Sequence, residues 1–513
     1  MRLRNSLKNF SSGLFLNIIS AIMTFISRTV FIQILGKEYL GVNGLFSNIL
    51  SMLSLAELGI GTAINFSLYK PIAENDSKKI KSYMQFYKNT YRLIGFSVFI
   101  IGMIIMCFLN VFIQNSEGVE NIRFIYFIFL INTVSSYFIT YKTTLLNADQ
   151  KGYKLTKINS LASFGGTIIQ LIVLIISKSY IYYLIANMVC LLITRIYTNI
   201  KVTEMYPILK EKEKEKLSKD EFNIIVKNVK AMMFHKIGDY CINGTDNIVI
   251  STYISLSAVG LYSNYGMIIS LVNGIIVMFF YSMTASLGNL IVTESKERSK
   301  EVFEITNFIA FWIFGFASIS FYNLLTPFIR LWIGKEYLIG ESVILIVVIN
   351  YFLTGMRVPV GTIKSAAGLY EQDKYTPIIQ SIINLLVSIV LAKKIGLIGV
   401  FIGTLISSVA LPCWQRPMIV YKNIFKCSSK EYFIKYFGYL ISVFSAGIMV
   451  NLIIRLVTPE ITLLSFIIMM IICIVTPNLL FIIIYRNKNE FKYLLNLFSS
   501  ILGEKGRWIK KLV

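Results

Sequence analysis

Seven ionisable residues interrupt long apolar stretches of this 513-residue chain, and they are the first candidates for chemistry. They are Arg28, Glu57, His235, Lys236, Asp239, Asp246 and Arg357. A charged side chain at the centre of a lipid bilayer costs about 2.5–3.5 kcal/mol on insertion scales, so such residues usually face protein or water and serve a function. We therefore expect these side chains to line a polar site.

Polar residues recur every three or four positions around these charges, which places them on one face of a helix. Four such stripes are present: Asn17, Ser20, Thr24 and Arg28; Ser54, Glu57, Gly61 and Asn65; His235, Asp239, Asn243 and Asp246; and Gln380, Asn384 and Ser388. A bundle that turns four polar stripes inward would enclose a hydrated central cavity. Such a cavity is typical of a transporter rather than a scaffold.

Arg28 and the two aspartates suggest two kinds of binding. Arg28 suits an anionic ligand, whereas Asp239 and Asp246 suit a coupling H⁺ or Na⁺. The alternative is an internal ion pair, in which Arg28 only neutralises Asp246 or Glu57 on a neighbouring helix. The spacing of the residues leaves both interpretations open.

The remaining charged residues of the apolar stretches are less specific. Arg357 is either a second anion ligand or a side chain that extends to the cytoplasmic edge of the membrane. His235 is the only histidine, and we expect an interfacial or proton-relay role rather than metal binding. The sequence has no Ser/His/Asp, HExxH or P-loop arrangement, and its six cysteines lack zinc spacing. We therefore expect no enzyme activity, no metal and no cofactor apart from a coupling ion.

Long apolar runs are the elements that must position these residues. Hydrophobic residues make up 55% of the chain and charged residues only 15%, against roughly 25% charged residues in soluble domains. A helix needs about 20 apolar residues to cross a bilayer core. Fourteen runs qualify, near 13–34, 44–69, 91–113, 122–145, 158–177, 181–200, 231–253, 258–281, 304–326, 338–363, 377–394, 397–419, 433–456 and 460–485. They predict an all-α polytopic membrane protein with about 14 transmembrane helices.

The net charge of +23 would suggest nucleic-acid binding in a soluble protein. Most of the 50 Lys and Arg residues, however, fall into loops that alternate with nearly neutral ones. Short cytoplasmic loops of membrane proteins are enriched in these residues. We therefore expect cytoplasmic N- and C-termini and no nucleic acid, with 486–513 forming a basic amphipathic tail on the inner leaflet.

An internal repeat divides the predicted spans. Gly44-Leu45-Phe46-Ser47-Asn48 recurs as Gly260-Leu261-Tyr262-Ser263-Asn264, and two weaker matches follow at nearly the same offset. Six spans per copy make the two copies parallel, related by an axis along the membrane normal. The predicted organisation is an N-terminal six-helix lobe at 1–200, a charged cytoplasmic linker at 201–230, a C-terminal six-helix lobe at 231–420, two additional transmembrane helices at 421–485 and the tail at 486–513.

Three segments resemble bacterial polysaccharide flippases. They are 31–69, with its turn Leu35-Gly36-Lys37-Glu38-Tyr39-Leu40-Gly41; 147–153, Asn-Ala-Asp-Gln-Lys-Gly-Tyr; and 368–375, Gly-Leu-Tyr-Glu-Gln-Asp-Lys-Tyr. The chain is similar over nearly its whole length to the Wzx-type members of the multidrug/oligosaccharidyl-lipid/polysaccharide exporter superfamily. The resemblance implies an undecaprenyl-diphosphate-linked oligosaccharide as cargo. It would be carried by alternating access from the inner to the outer leaflet of the bacterial cytoplasmic membrane, for surface polysaccharide assembly.

The resemblance also implies roles for individual residues. Arg28 would bind the diphosphate, with Arg357 and Lys236 as looser candidates, and Asp239 and Asp246 would bind a coupling ion. The polar residues expected to line the cavity are Asn17, Thr24, Glu57, Asn65, Asn243 and Asn384. Implied partners are the lipid-linked oligosaccharide, membrane lipids, a polysaccharide polymerase and chain-length proteins.

Two other classes of function compete with a flippase. A multidrug or small-molecule exporter would use the same scaffold. A membrane enzyme, such as a polymerase, ligase or acyltransferase, usually needs a large extracytoplasmic loop or an intramembrane histidine centre. The predicted outside loops are short, and His235 is predicted near the inner face, so the sequence favours transport.

Overall fold

The computed structural model describes residues 2–57, 60–113, 119–149, 151–210, 217–219, 221–223, 225–226, 229, 240, 244–369, 371–458 and 460–502. Within these ranges the chain is helical and has no strand. The α-helices are α1 (Arg2–Leu53), α2 (Ile60–Ala73), α3 (Ser77–Cys107), α4 (Leu109–Phe112), α5 (Ile122–Ala148), α6 (Gly152–Ser177), α7 (Tyr180–Met205), α8 (Asp246–Tyr253), α9 (Leu256–Ser282), α10 (Thr284–Thr293), α11 (Lys296–Trp332), α12 (Glu341–Met356), α13 (Val358–Ala366), α14 (Thr376–Ile395), α15 (Leu397–Ala410), α16 (Pro412–Val420), α17 (Lys430–Val457), α18 (Leu463–Tyr485) and α19 (Asn489–Leu502).

In the described part of the chain, eleven helical segments are long and apolar enough to cross a membrane. They correspond to eleven of the predicted runs, because an apolar helix satisfies its own backbone hydrogen bonds in lipid. The other three runs, 13–34, 44–69 and 231–253, each contain residues or side chains outside the described set. The all-α, multi-pass membrane fold is confirmed, and the count of fourteen spans stays a prediction.

The predicted run 44–69 is not one straight helix. Its first part belongs to α1, which ends at Leu53, and a 3-10 turn over Ser54–Glu57 follows before α2 begins at Ile60. α1 itself is kinked at Gly36, whose φ of 82° lies in the left-handed region that favours glycine. The segment predicted as a turn is therefore a kink inside a long helix.

Two compact units divide the chain, Met1–Gly260 and Leu261–Val513. In the first unit, two glycines let helices approach closely. Gly41 of α1 lies against the backbone of Leu256, and Gly260 lies against the carbonyl oxygen of Lys37. A side chain at either position would collide with backbone, so small residues fix this helix crossing. The predicted lobe boundaries remain a prediction.

The second unit is built around α11. This helix has 37 residues, which is about 55 Å at 1.5 Å per residue, longer than the hydrocarbon core. Aromatic rings of α17 and α18 pack on it: Phe311 stacks on Tyr439 at 4.3 Å, and Phe481 lies 4.9 Å from Phe311. The core of the unit is therefore aromatic, whereas much of the α17 and α18 surface is apolar and exposed, as lipid-facing helices require.

Candidate functional site

Arg28 lies half-buried on α1, beside α7. Its guanidinium interacts electrostatically with Tyr183, whose side chain hydrogen-bonds Ser27. The Nε atom of Arg28 is buried. Phe31, one turn further on, packs edge-to-face on Tyr183 at 5.5 Å. Aromatic packing of α1 against α7 therefore directs the arginine toward protein rather than lipid.

The other members of the Arg28 stripe differ in what the structure shows. Thr24 is exposed, and its hydroxyl donates to the carbonyl oxygen of Ser20 at 2.8 Å. Asn17 lies in α1, but its side chain is outside the described set. The stripe thus presents Thr24 and Arg28 on one side of α1, with the arginine in the more buried position.

Glu57 is surrounded by tyrosines that come from other helices. The hydroxyl of Tyr91 donates to Glu57 Oε1. Tyr87 packs edge-to-face on Tyr91 at 4.4 Å, and its hydroxyl lies 3.2 Å from that of Thr144 on α5. A Cβ at position 61 would lie 2.9 Å from the Tyr87 hydroxyl and 3.1 Å from the Tyr91 hydroxyl. Gly61 is therefore required for this cluster to form.

Two further members of the Glu57 stripe extend the same polar face. Ser54 hydrogen-bonds the hydroxyl of Tyr137 on α5. The amide nitrogen of Asn65 donates to Tyr69 at 3.4 Å, while its buried Oδ1 has no hydrogen-bond partner among the described residues. The first unit therefore holds a cluster of one carboxylate, three tyrosines of α3 and α5 and small polar groups, with the Asn65–Tyr69 pair further along α2.

Asp246 begins α8, and its Oδ1 is buried with no hydrogen-bond partner in the described part of the chain. A buried carboxylate oxygen without a partner favours a proton or a bound cation. The other residues predicted for this stripe, His235, Lys236, Asp239 and Asn243, lie outside the described residues.

In the second unit, Arg357 occupies the junction between α12 and α13. One of its terminal nitrogens donates to Thr354 Oγ1 at 3.0 Å, and the other to the sulfur of Cys413 on α16 at 3.3 Å. Tyr432 and Tyr436 of α17 are within electrostatic reach. The side chain is therefore directed among three helices of this unit and is half-buried.

Asn384 lies in a buried polar seam between α14 and α15. Its amide donates to Thr404 Oγ1 at 3.0 Å, and its buried Oδ1 has no hydrogen-bond partner within the described ranges. One turn along, the Ser388 hydroxyl donates to the carbonyl oxygen of Val400 at 2.9 Å. Gly403 faces Ser388 with no room for a Cβ. The predicted polar stripe of α14 is therefore hydrogen-bonded to α15.

A buried charge cluster in the second unit was missed by the sequence reasoning. Asp373, whose side chain is 0% exposed, pairs with Lys364, and Arg416 Nε lies 3.4 Å from the same carboxylate oxygen. The acid belongs to the segment 368–375 that carried the family resemblance. Its position in a loop, between two apolar runs, made it look like an ordinary solvated residue.

The matching loop of the first unit holds a similar acid. Asp149 accepts hydrogen bonds from Lys151, at 2.6 Å, and from the Tyr206 hydroxyl at the end of α7. Burial by itself would raise the pKa of the Asp149 carboxyl, but these partners lower it below its usual value. In each unit, then, an acid in this loop has a nearby lysine and one partner from later in the chain, Tyr206 for Asp149 and Arg416 for Asp373.

Arg195 is a second residue that the sequence reasoning missed, because it lies inside the predicted run 181–200 but was not among the seven charged residues singled out. It lies within α7, half-buried, and one terminal nitrogen donates to the Asn132 carbonyl at 2.9 Å and to Asn132 Oδ1 at 2.8 Å. The Ser135 hydroxyl accepts from the same nitrogen. The apolar residues on both sides of Arg195 are the signal that would have added it to the charged residues of the predicted spans.

Solved structures define the class of fold. The chain has a TM-score of 0.67 to the lipid II flippase MurJ in an inward closed conformation, at 16% identity, covering 92% of this chain and 98% of that one. Its TM-score is 0.59 to an inward-facing multidrug resistance MATE family transporter of the MOP superfamily, at 14% identity, covering 76% and 92%. A MATE transporter of Vibrio cholerae gives 0.52 at 14% identity, covering 80% and 96%. The fold resembles that of these flippase and transporter structures.

The family follows from the sequence. Residues 6–285, more than half of the chain, match the model of the family described as polysaccharide biosynthesis protein. The chain belongs to that family, and the resemblance inferred from its motifs is confirmed at this level. A search of curated proteins finds no match.

Proposed function

We propose that this protein is a flippase that moves an undecaprenyl-diphosphate-linked oligosaccharide from the inner to the outer leaflet of the bacterial cytoplasmic membrane. Translocation would proceed by alternating access and supply surface polysaccharide assembly. Support comes from the family, the fold and one observation above all: Arg28, inside the first apolar run, is half-buried and directed toward protein. Both termini would be cytoplasmic.

The cargo explains why an arginine is needed at this depth. A diphosphate and a glycan cannot enter hydrocarbon alone, because their polar groups would lose water without a replacement. The planar guanidinium of Arg28 can offer two donors to phosphate oxygens at once. Arg357 and Lys236 are the further candidates for this role, and the polyprenyl tail would stay in lipid.

Ion coupling is the second part of the proposal. The buried Oδ1 of Asp246, which has no hydrogen-bond partner among the described residues, suits a proton or Na⁺, and Asp239 would complete that site. Polar groups of Asn17, Thr24, Glu57, Asn65 and Asn243 would line the path of the glycan, whereas the predicted Asn384 is buried against α15. Beyond the cargo and membrane lipids, a polysaccharide polymerase and chain-length proteins are the expected partners, since they act on the translocated unit.

The test of the function is substitution of Arg28. Arg28→Ala should abolish surface polysaccharide while the protein still inserts into the membrane, and Arg28→Lys should retain part of the activity. Arg123→Ala, at an exposed position before the α5 apolar run, is the control and should behave as wild type. In proteoliposomes, the protein should also change the access of an external probe to a labelled lipid-linked glycan. Wild-type polymer levels in Arg28→Ala cells would contradict the assignment.

A multidrug exporter is the second candidate, and the Glu57 cluster favours it. A carboxylate among Tyr87, Tyr91 and Tyr137 suits an organic cation, because aromatic faces and negative charge both attract one. Deletion of the gene distinguishes the two functions. Loss of surface glycan supports the flippase, whereas sensitivity to toxic cations with normal glycan supports the exporter.

A further inference from the structure

A pocket of about 690 Å³ lies in the first unit, between the N-terminal half of α3 and residues 217–219 with 222–223. We refer to it as the linker pocket, because 217–223 falls within the predicted linker between the lobes. Exposed apolar side chains on α3 begin at Leu93, just beyond the pocket. The pocket therefore lies at the polar end of the helix, next to the membrane surface that the predicted topology makes cytoplasmic.

The lining of the linker pocket is cationic. Arg92 of α3 and Lys219 of the opposite segment both contribute to its wall, and its described lining contains no acid. Among the described residues next to the pocket, the acid Glu221 accepts from the Ser218 amide and hydroxyl at 3.1 and 2.9 Å. Its carboxylate is thus engaged with the local turn, and neither Arg92 nor Lys219 forms an ion pair within the described ranges.

The rest of the lining suits a sugar. Gln85 and Asn89 on α3 and Asn223 opposite them carry amides, which both donate and accept hydrogen bonds, as sugar hydroxyls require. Phe86 and Phe222 pack edge-to-face at 5.8 Å and form an apolar wall against which a sugar ring can lie. A volume of about 690 Å³ falls in the range of small-molecule sites, roughly 300–1,000 Å³, and exceeds what a bare phosphate needs.

We propose that the linker pocket binds a sugar phosphate, with Arg92 and Lys219 on the phosphate and the amides and aromatic rings on the sugar. The headgroup of the lipid-linked cargo and a free cytoplasmic sugar phosphate share this chemistry. The choice of the cargo as the occupant rests on the proposed function, and the pocket would then hold the headgroup at the membrane surface before translocation.

Binding is measured by calorimetry on the full-length protein in nanodiscs. Glucose 1-phosphate is the probe, with inorganic phosphate and methyl glucoside as its two halves. Saturable binding of glucose 1-phosphate, tighter than either half and weakened by salt, is expected. Equal binding of inorganic phosphate would overturn the sugar assignment, and no saturable binding of glucose 1-phosphate would overturn the site.

The residues are tested by charge-matched variants. Arg92→Gln with Lys219→Gln should weaken binding of glucose 1-phosphate at least tenfold. Lys154→Gln with Lys157→Gln removes the same charge from exposed positions of the same unit and should leave binding within twofold. If both double variants weakened binding equally, net charge alone would explain the effect, and the proposed binding site would be refuted. Unchanged thermal unfolding shows that each variant is folded.

The source of the sugar phosphate is tested with a short-chain prenyl-diphosphate-linked glucose. Tighter binding of this compound than of glucose 1-phosphate identifies the lipid-linked headgroup, whereas the reverse order identifies a free sugar phosphate and contradicts the cargo assignment. Both compounds are compared in the Arg28→Ala variant, so that the proposed diphosphate site does not contribute, and glucose 1-phosphate should bind this variant as it binds wild type, since Arg28 is not part of the pocket. Binding without translocation in proteoliposomes would therefore refute the proposed function alone, and translocation without binding would refute only the linker pocket.

Discussion

Removal of the Asp373 charge should destabilise the second unit strongly. The Asp373 side chain is 0% exposed, and those of its partners Lys364 and Arg416 are 7% and 22% exposed. Asp373→Asn keeps the size of the side chain but leaves a buried ammonium without its counter-charge. Breaking a buried ion pair in this way costs about 3–5 kcal/mol. Because Arg416 is partly hydrated, we expect the free energy of unfolding to fall by the lower end of this range, about 3 kcal/mol.

A matched control lies in the same loop. Glu371, with a side chain 82% exposed, pairs with Lys374 at 2.8 Å, and such exposed pairs contribute about 0–1 kcal/mol. Glu371→Gln should therefore change the free energy of unfolding by no more than about 0.5 kcal/mol. The free energy is measured by denaturant unfolding of the purified protein in micelles, with helicity as the signal.

A double variant separates the charge from the packing. Lys364→Met combined with Asp373→Asn removes the uncompensated ammonium, so it should recover about 1 kcal/mol or more relative to Asp373→Asn alone. Equal effects of Asp373→Asn and Glu371→Gln would refute the reasoning, because burial would then not govern the cost. A double variant no more stable than Asp373→Asn would show that Lys364 is not the charge left behind.

Three further predictions concern other clusters. Gly61→Ala should destabilise the protein by about 1–3 kcal/mol through overpacking, whereas Gly165→Ala, with nothing within 4 Å of the added Cβ, should be neutral or stabilising by up to about 1 kcal/mol in the same unfolding assay. Arg195→Met should cost about 1–3 kcal/mol by leaving buried acceptors on α5 unpaired, and Arg195→Lys should recover only part of it. For Glu490, burial opposes ionisation but the hydrogen bond from Lys435 lowers the pKa of the carboxyl below its usual value. Ionised Glu490 therefore stabilises the packing of α19 fully above the pKa of a glutamate in the unfolded chain, about 4.3. This stabilisation is lost as the pH falls through the lower pKa that Glu490 has in the folded protein. Hydrogen exchange of α19, corrected for intrinsic rate, should show this, and Lys435→Gln should weaken the pH dependence, because Lys488 and a backbone hydrogen bond also lower this pKa.

Periodicity and hydropathy predicted the spans well and the helix breaks poorly. Each apolar run is a local property, so eleven of them appear as helices in the expected places. The division of 44–69 by the 3-10 turn at Ser54–Glu57 has no comparable local signal. Arg195 shows a related difficulty, because nothing in the run that contains it indicates that its partners are Asn132 and Ser135 on α5.

The candidate site could be predicted only as a set of positions. Helical spacing indicated that Ser54, Glu57 and Gly61 share a face, and the structure adds what that face meets. The partners of Glu57 come from α3 and α5, and no pattern within the 44–69 segment specifies Tyr91 or Tyr137. In the same way, nothing near Asp373 in the sequence points to Arg416, which lies on a helix more than forty residues later.

The sequence by itself determined that this is an all-α, multi-pass membrane protein of the polysaccharide biosynthesis family. These properties follow from residues close together in the chain, because in lipid each apolar helix must satisfy its own backbone. Only the tertiary structure decided which polar groups meet: Arg28 with Tyr183, Glu57 with Tyr91, and Asp373 with Lys364 and Arg416. Those contacts depend on how separate helices pack, where the burial of one charge is stable only if a distant residue supplies its partner.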